Sequence, residues 1–587
     1  MKDDITYLGN IISVDSSSIQ FEILDEIISS NPVINGKLHK IGQIGTFVKI
    51  PLGNITLYGI ISVVSNLSKF DDDETVLEMD RGSRFLTADL VGEKIGNRSF
   101  ERGIGIYPTV NDEVHLVIEE DLKDIYETSE SEGIMIGTHS ASDNLSIRCD
   151  LHNFVLRHSA ILGSTGSGKS NTTVSVIKSI INDYNNSRIV LIDPHGEYSS
   201  AFSKARIFKI KDENSPLYVP FWLMNFDELA YFLVGAKTSD DNRVEYREFR
   251  EMVTNKKRKN PDLKAGKINE DLIMADSPIP FNIRQIWGEM NWWVNATFTE
   301  NNKDKQTKLT ACIEQKGKYD DLIPTKFKPY PPTNEPPYKS KHTTFYSYEK
   351  NLFPRLKDNR FDFLFKPGEY DFGGNKDLDD LLNEWVGNEE RLTILDLSGV
   401  PFEVLDITIG IITRFIYDSM FWGRNEVFTG KNRPLLMIYE EAHTYLNKKD
   451  TSNYSKKAVE KIFKEGRKFG IGSLIISQRP SEISETILAQ VGTFVALKLT
   501  NSSDQSIVKS LAPDNLNSLI DLLPSLRIGE AIILGESVKI PSRVRIKLNN
   551  PRPTSEDPEI IEKWAKKFKY NENKYDIIVN NMREQKM

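Results

Sequence analysis

Cysteine is almost missing from these 587 residues: Cys149 and Cys312 are the whole supply. Two thiols exclude a disulfide framework and a cysteine-based zinc site, and they fit a reducing compartment. Long apolar runs are missing as well, since no stretch of about 18 uninterrupted apolar residues occurs. The opening Met1-Lys2-Asp3-Asp4-Ile5 has no basic segment leading into an apolar one. The expectation is a cytoplasmic chain that is neither secreted nor membrane-spanning. An excess of positive charge is also absent, with 75 Lys and Arg against 84 Asp and Glu and a net charge of −9. That balance argues against a protein that coats nucleic acid with its whole surface, but it leaves room for a local basic channel. What is present, 39% hydrophobic and 10% aromatic residues, is the composition of a globular protein with about two or three folded units.

Two textures divide the chain. Over residues 5–118, short runs such as Ser18-Ile19-Gln20-Phe21-Glu22-Ile23 and Thr46-Phe47-Val48-Lys49-Ile50 are separated by Gly, Asn, Pro and Asp. Several alternate polar with apolar, which predicts a small antiparallel β-barrel over residues 1–125, an assembly or docking module. An acidic connector, residues 119–132, follows it. From Phe154 onward the apolar runs are continuous, as in Ile189-Val190-Leu191-Ile192 and Leu435-Leu436-Met437-Ile438, with helical spacing between several of them. Continuous runs mark strands covered on both faces, so residues 150–225 and 390–550 read as an α/β core with a parallel sheet of the RecA-like P-loop type. Residues 226–389 are too long for a loop and carry a charged helical stretch, a cluster of Trp287, Trp292 and Trp293, and a Pro-rich run over 324–337. They read as an inserted, mainly helical subdomain with a surface excursion. Residues 551–587 read as a C-terminal helix, 560–568, with a frayed charged tail.

The strongest chemical signal is Gly163-Ser164-Thr165-Gly166-Ser167-Gly168-Lys169-Ser170, which follows the apolar strand ending Ala160-Ile161-Leu162 and opens an amphipathic helix. Glycines let successive N–H groups curl around phosphate oxygens, and the helix N-terminus adds about half a positive charge. Lys169 is expected to bridge the β- and γ-phosphates of ATP and Ser170 to ligate Mg²⁺. Such a loop needs acids at the end of another strand. Tyr439-Glu440-Glu441-Ala442-His443 supplies them, with Glu440 assigned to the Mg²⁺ shell, where aspartate is usual, and Glu441 to the attacking water.

Downstream, Glu465-Gly466-Arg467-Lys468-Phe469-Gly470 leads into a strand that ends Ser477-Gln478-Arg479-Pro480. Gln478 is placed to sense the γ-phosphate. Arg467, in a glycine-flanked turn, is a candidate to reach the ATP of a neighbouring subunit, and a plain surface arginine is the alternative. Arg157, before the P-loop strand, is a second such candidate or a structural ion-pair partner. Asp193, in Asp193-Pro194-His195-Gly196-Glu197-Tyr198, either positions water or a neighbouring arginine or simply starts a turn. His195 and His443 lack the companions of a metal site and read as polar linkers.

Taken together, the tracts around 157–170, 193–198, 440–443, 465–468 and 477–482, with the closing Leu523-Pro524-Ser525-Leu526-Arg527-Ile528-Gly529-Glu530-Ala531, closely resemble the HerA family of the HerA/FtsK group of DNA translocases. The resemblance extends to the barrel and omits the insert and the tail. It implies a homo-hexameric ring that hydrolyses ATP at subunit interfaces and moves duplex DNA, with Arg467 and Arg157 near the nucleotide. It also implies an effector partner: a NurA-type nuclease in DNA-end processing, or a sirtuin-type NADase or other nuclease in anti-phage defence. A different reading keeps the ring as a scaffold that assembles and activates the effector, with ATP stabilising it. A peptide-moving motor is a third reading, for which no substrate-capture domain is evident.

Overall fold

Alternating apolar residues in the N-terminal stretch bring six strands into a closed ring. The computed structural model describes residues 6–23, 33–34, 37–38, 42–65, 84–96, 98–126, 133–140, 142–237, 240–260, 262–263, 266–387, 389–449, 454–511, 517–554, 560–566 and 575–584. Strands β1 (Tyr7–Val14), β2 (Ser18–Ile23), β3 (Phe47–Leu52), β4 (Ile55–Ser65), β5 (Arg84–Ile95) and β6 (Glu113–Leu116) pair in the order β2-β1-β6-β3-β4-β5. Antiparallel pairing of β5 with β2 closes the barrel and removes its free edges. Phe21, Val48, Ile50, Leu57 and Leu86 fill its interior. Ile5 lies outside the described residues.

The acidic stretch after the barrel is not a free connector in its described part. Helix α1 (Glu119–Tyr126) buries Leu122, Ile125 and Tyr126. Their i, i+3, i+4 spacing is embedded in a run of charges that dominates the composition and hides the apolar face. Lys49 reaches Asp121 at 2.8 Å and ties this helix to the barrel. Residues 127–132 lie outside the described part.

Eleven strands form the second sheet. They are β7 (Gly133–His139), β8 (Ser142–Asp150), β9 (Ser159–Leu162), β10 (Ile189–Asp193), β11 (Arg206–Lys209), β12 (Leu392–Asp396), β13 (Leu435–Tyr439), β14 (Ile471–Ser477), β15 (Thr493–Leu497), β16 (Glu530–Gly535) and β17 (Ser542–Arg545). Their order is β8-β7-β17-β16-β15-β9-β14-β13-β10-β12-β11. Neighbours from β15 to β11 are parallel, and those from β15 to β8 are antiparallel. The fold is therefore α/β, with a largely parallel sheet behind an N-terminal antiparallel barrel.

Burial on both faces explains the continuous apolar runs: along β9, Ala160 and Leu162 enter one core while Ile161 enters the other. Helix α2 (Lys169–Asp183) covers the second face with Val174, Ile177 and Ile180. Phe47, Tyr58 and Ile60 of the barrel join the same core. Arg102 donates to the carbonyls of Gly535, Val538 and Lys539. The barrel is thus seated on the sheet rather than hung from it.

Between β11 and β12 lie helices α3 (Phe226–Val234), α4 (Val244–Arg258), α5 (Ile283–Asn295) and α6 (Tyr346–Lys357), with short two-stranded pairings such as Thr297–Phe298 against Tyr338–Lys339. Phe249, Trp287 and Leu352 share one core with Met437 and Ile475 of the sheet and with Ile409 and Ile412 of α7 (Phe402–Trp422). Arg414 on α7 meets the buried Glu228 on α3 at 2.7 Å. Removing one partner of such a buried pair costs about 3–5 kcal/mol, so the pair fixes how α3 sits on α7. At the C-terminus, Ile560–Ala565 and Tyr575–Glu584 are helical and bury no residue. The expected helix over 560–568 thus ends at Ala565 and covers nothing within one chain, while residues 567–574 lie outside the described part.

Candidate active site

Parallel strands end on one edge of the sheet, and ligands of such sheets sit outside those carboxyl ends. Here Leu162 pairs with Ser477, Ile192 with Tyr439, and Tyr439 with Ile475. That register brings Gly163, Asp193, Glu440 and Gln478, each at or just past a strand end, to a common edge.

The loop after β9 is pinned by two backbone bonds, Gly163 N–H to the Ser477 carbonyl at 3.2 Å and Ser164 N–H to the Lys498 carbonyl at 2.9 Å. Gly166 and Gly168 take φ values of 73° and 105°, which side chains rarely tolerate. A Cβ at Gly163 would lie 2.5 Å from Ser167 Oγ. Helix α2 starts at Lys169 behind Gly168 with no side-chain cap, so its first N–H groups and its dipole are turned toward the pocket. Lys169 is buried, with Nζ 3.4 Å from the Ser164 carbonyl. Burial pulls the Lys169 amine below its ordinary value, against the opposing pull of Glu441, Glu440 and Glu197.

The two glutamates after β13 diverge. Glu441 adopts φ 48°, a left-handed conformation that costs a non-glycine residue about 1–2 kcal/mol. Thr444 stabilises that turn by donating its N–H at 3.0 Å and its hydroxyl at 2.9 Å to the Glu441 carbonyl. The twist turns the Glu441 carboxylate toward Gln478, whose amide donates to it, and toward His443 Nδ1 at 3.2 Å. Burial pushes this carboxyl up, but the His443 and Gln478 hydrogen bonds and the Lys169 charge outweigh it, and Glu441 rests below the ordinary range. Glu440 goes the other way. It is 1% exposed, accepts the Tyr198 hydroxyl at 2.7 Å, and is held well above the carboxylate range by burial.

Asp193 is fully buried and accepts N–H groups from His195 at 3.2 Å, Gly196 at 2.8 Å and Tyr198 at 3.1 Å. Burial raises it to about 6 against the pull of those bonds. It therefore shapes the turn that carries Glu197, whose carboxylate accepts the Ser170 hydroxyl at 3.0 Å. Thr165 donates to Gln478, so one side chain bridges the loop and Glu441.

A cavity of about 240 Å³ opens here. Thr165, Gly166, Lys169, Ser170, Glu441 and Gln478 line its phosphate-loop half, with Glu197 beside them. The lining offers N–H groups, an ammonium and hard oxygen donors, a set suited to a polyphosphate and a small divalent cation. Glu440 lies behind this wall rather than in it, and the pocket-facing acid beside Ser170 is Glu197. The extra methylene of glutamate at 440 is used to reach Tyr198 instead of the pocket.

Arg467 and Arg157 are not brought to this edge. Arg467 is exposed in the turn Gly466–Phe469 ahead of β14, with no ion-pair partner among the described residues. The seven residues of β14 separate it from Gln478, about 20 Å at a strand's rise per residue. Arg157 precedes β9 on the same far edge and meets Glu536 at 3.4 Å.

Two parts of the cavity lining were not singled out as site residues in the sequence, Glu197 and residues 547–554. Glu197 was within reach, since it stands four residues past Asp193 in the same tract. His443, read as a polar linker, lies beside Glu441 at 3.2 Å. Residues 547–554, with Leu548, Arg552 and Pro553 on the cavity wall, carry no motif that announces them.

Comparison with known proteins places the chain in a family. The chain matches the family described as "Helicase HerA, central domain" over residues 134–416 and "Helicase HerA-like C-terminal" over residues 420–560. It is 28% identical over 462 residues to the DNA double-strand break repair helicase HerA of Sulfolobus acidocaldarius, covering 78% of this chain and 77% of that protein. The HerA of Saccharolobus solfataricus is 26% identical over 536 residues, covering 89% and 91%. Among solved structures, VirB4 of Thermoanaerobacter pseudethanolicus aligns with a TM-score of 0.45 at 12% identity, over 72% of this chain and 98% of that one. The plasmid coupling protein TrwB with ADP and Mg²⁺ aligns at 0.43 and 14%, over 75% and 95%. With the loop, the acidic strand end and the barrel in their places, the two family matches and the curated relatives make this chain an ATPase of the HerA helicase family.

Proposed function

We propose that the chain is a subunit of a homo-hexameric motor that hydrolyses ATP at subunit interfaces and moves duplex DNA. The observation that carries this reading is the separation of Lys169, Glu441 and Gln478 from Arg467 and Arg157 by the length of the sheet. One chain has both halves of a phosphoryl-transfer site and cannot join them, whereas a ring of identical chains sets the far edge of one against the pocket of the next. In this reading the 163–168 amides, Lys169 and the α2 N-terminus bind the phosphates, and Ser170 binds Mg²⁺. Glu441 orients and deprotonates water, Gln478 couples it to the γ-phosphate, and Arg467, with Arg157, neutralises charge on a neighbour's transferring group. Glu197, which accepts the Ser170 hydroxyl, and Glu440, buried against Tyr198, would supply the acidic side of that cation site. The names of the curated relatives, helicases of double-strand break repair, supply the DNA substrate.

Mixing inactive subunits tests the interface. Lys169→Ala and Arg467→Ala rings are each expected to be inactive, and mixed rings, verified by native mass measurement, are expected to regain part of the turnover. Mixed rings with no recovery would place Arg467 within its own subunit's chemistry or in its fold.

A second reading makes the ring a scaffold for an effector, a NurA-type or other nuclease or a sirtuin-type NADase, docked on the barrel. It is favoured by Ile106, Tyr107 and Val110, which are 53%, 49% and 54% exposed on the barrel's outside. The two readings separate by whether duplex DNA stimulates ATP hydrolysis by the isolated ring or only by its complex with the effector. Charged substitutions at Ile106 and Val110 test the docking face better than deletion of the barrel, whose Phe47 and Tyr58 belong to the core of the sheet.

A further inference from the structure

The cavity has two ends of different chemistry. One is the phosphate cradle. The other is walled by Asn171 and by Leu548, Arg552 and Pro553, which arrive from beyond the last strand of the sheet. We infer that residues 547–554 form the nucleoside wall of the pocket, with Leu548, backed by the buried Pro553, against the base and Arg552 beside the sugar. This rests on the reading of residues 163–170 as an ATP site.

Direction follows from the loop itself. Phosphates are held by the amides at the start of α2, so the rest of the nucleotide extends away from Glu441 and Gln478, along the side that Asn171 faces. Residues 547–554 are fixed there by a dense set of bonds. Asn171 donates to the Lys547 carbonyl at 3.0 Å and accepts the Asn549 N–H at 2.9 Å. The Asn549 side chain donates to the Asn171 carbonyl at 3.1 Å and to Ser175 Oγ at 2.7 Å. At the far end, Thr554 N–H and hydroxyl donate to the Glu197 carbonyl at 2.9 and 3.1 Å. The segment is thus strapped to the P-loop helix at one end and to the Glu197 turn at the other, and it cannot leave without disturbing both.

Such strapping positions a surface, and the surface is apolar where it meets the cavity. Leu548 is 66% exposed although its backbone is held. What singles it out is its place at the end of the cavity opposite the phosphate loop, where a nucleobase would cover it without any further ordering of its backbone. Both polar groups of the Asn171 amide are already engaged with residues 547 and 549. Asn171 therefore does not read the edge of a base, and the wall grips adenine by its face. Selection between ATP and GTP at this wall is accordingly weak.

Titration calorimetry on the full-length ring, with ATP and with inorganic tripolyphosphate as probes, separates the two ends. Leu548→Ala and Arg552→Ala are expected to weaken ATP binding about tenfold and to leave tripolyphosphate affinity unchanged. GTP is expected to bind the parent protein within about tenfold of ATP. ATP affinity unchanged in the double variant would overturn the assignment. Equal loss of ATP and tripolyphosphate would overturn it too, because the segment would then be propping the phosphate loop. Leu548 is largely exposed, so its alanine variant keeps the fold, and an unchanged melting temperature verifies this. The P-loop reading fails separately, if Lys169→Ala leaves tripolyphosphate affinity intact.

Discussion

At the carboxyl edge of the parallel strands, Lys169, Asp193, Glu440 and Glu441 are all buried and all four have displaced proton affinities, whereas at the amino edge Arg157 is 41% exposed and Arg467 is open to solvent. Desolvated charges are expensive and persist only where neighbours fix them, so the first edge is organised by the chain alone. The second edge is unfinished: its guanidiniums gain strength only when another surface excludes water from them. An edge organised within the chain and an edge left open to solvent are the two faces that the proposed ring would set against each other.

The sharpest way to break this comparison is Arg467→Ala. If its exposure is relieved by a neighbour's nucleotide, turnover falls by about 10³–10⁵ while ATP affinity stays near that of the parent protein. Single-turnover hydrolysis beside equilibrium binding measures this. A change of less than about twofold would make Arg467 an ordinary surface residue. Next in size is Glu441→Gln at the opposite edge, expected to cost about 10²–10⁴ in turnover with binding preserved. If binding is lost instead, Glu441 is a support for Gln478 and the loop rather than the group that handles water.

A pH measurement examines the buried edge without nucleotide. Asp193 sits at about 6 in the fold against an ordinary 3.8. The folded state holds the proton more tightly than the unfolded one, so the stability it contributes is complete below about pH 3.8 and is lost as pH rises through about 6, about 3 kcal/mol in full. Asp193→Asn has no such titration. The stability of the parent protein relative to this variant is expected to drop by about 1 kcal/mol between about pH 5 and pH 7, read from paired urea midpoints. A constant difference would mean that the three N–H donors fully offset the burial.

What was legible in the sequence follows the same division. That Gly163, Lys169, Ser170, Glu441 and Gln478 share one sheet edge could be read because nucleotide chemistry demands residue types at set spacings beside strands, and strands betray themselves by apolar runs. The barrel was legible from alternation. Glu440 was assigned to the metal because position in a motif gives the Cα and not the side-chain direction, and the left-handed turn at Glu441, which sends the two carboxyls apart, leaves no mark in the sequence. Helix α1 was hidden because three apolar residues within eight positions are outnumbered by charge. Residues 547–554 were invisible for a different reason: their contacts reach back almost 400 residues to Asn171, and no local pattern records such a return.

The smallest expected effect concerns Arg157, and it asks whether the amino edge is unfinished at one arginine or at two. Its guanidinium meets Glu536 at 3.4 Å, with both side chains about half exposed. An ion pair in that setting contributes about 0–1 kcal/mol. If pairing within the chain is its whole purpose, Glu536→Gln and Arg157→Gln lower stability by similar small amounts and leave turnover alone. If Arg157 also faces a neighbour's nucleotide, the two variants part company. Glu536→Gln frees the guanidinium and leaves turnover intact or slightly raised, while Arg157→Gln depresses it, with no further loss in melting temperature. Turnover and thermal midpoint measured together on the two variants decide the matter, because equal behaviour in both would return Arg157 to a structural role and leave Arg467 alone at that edge.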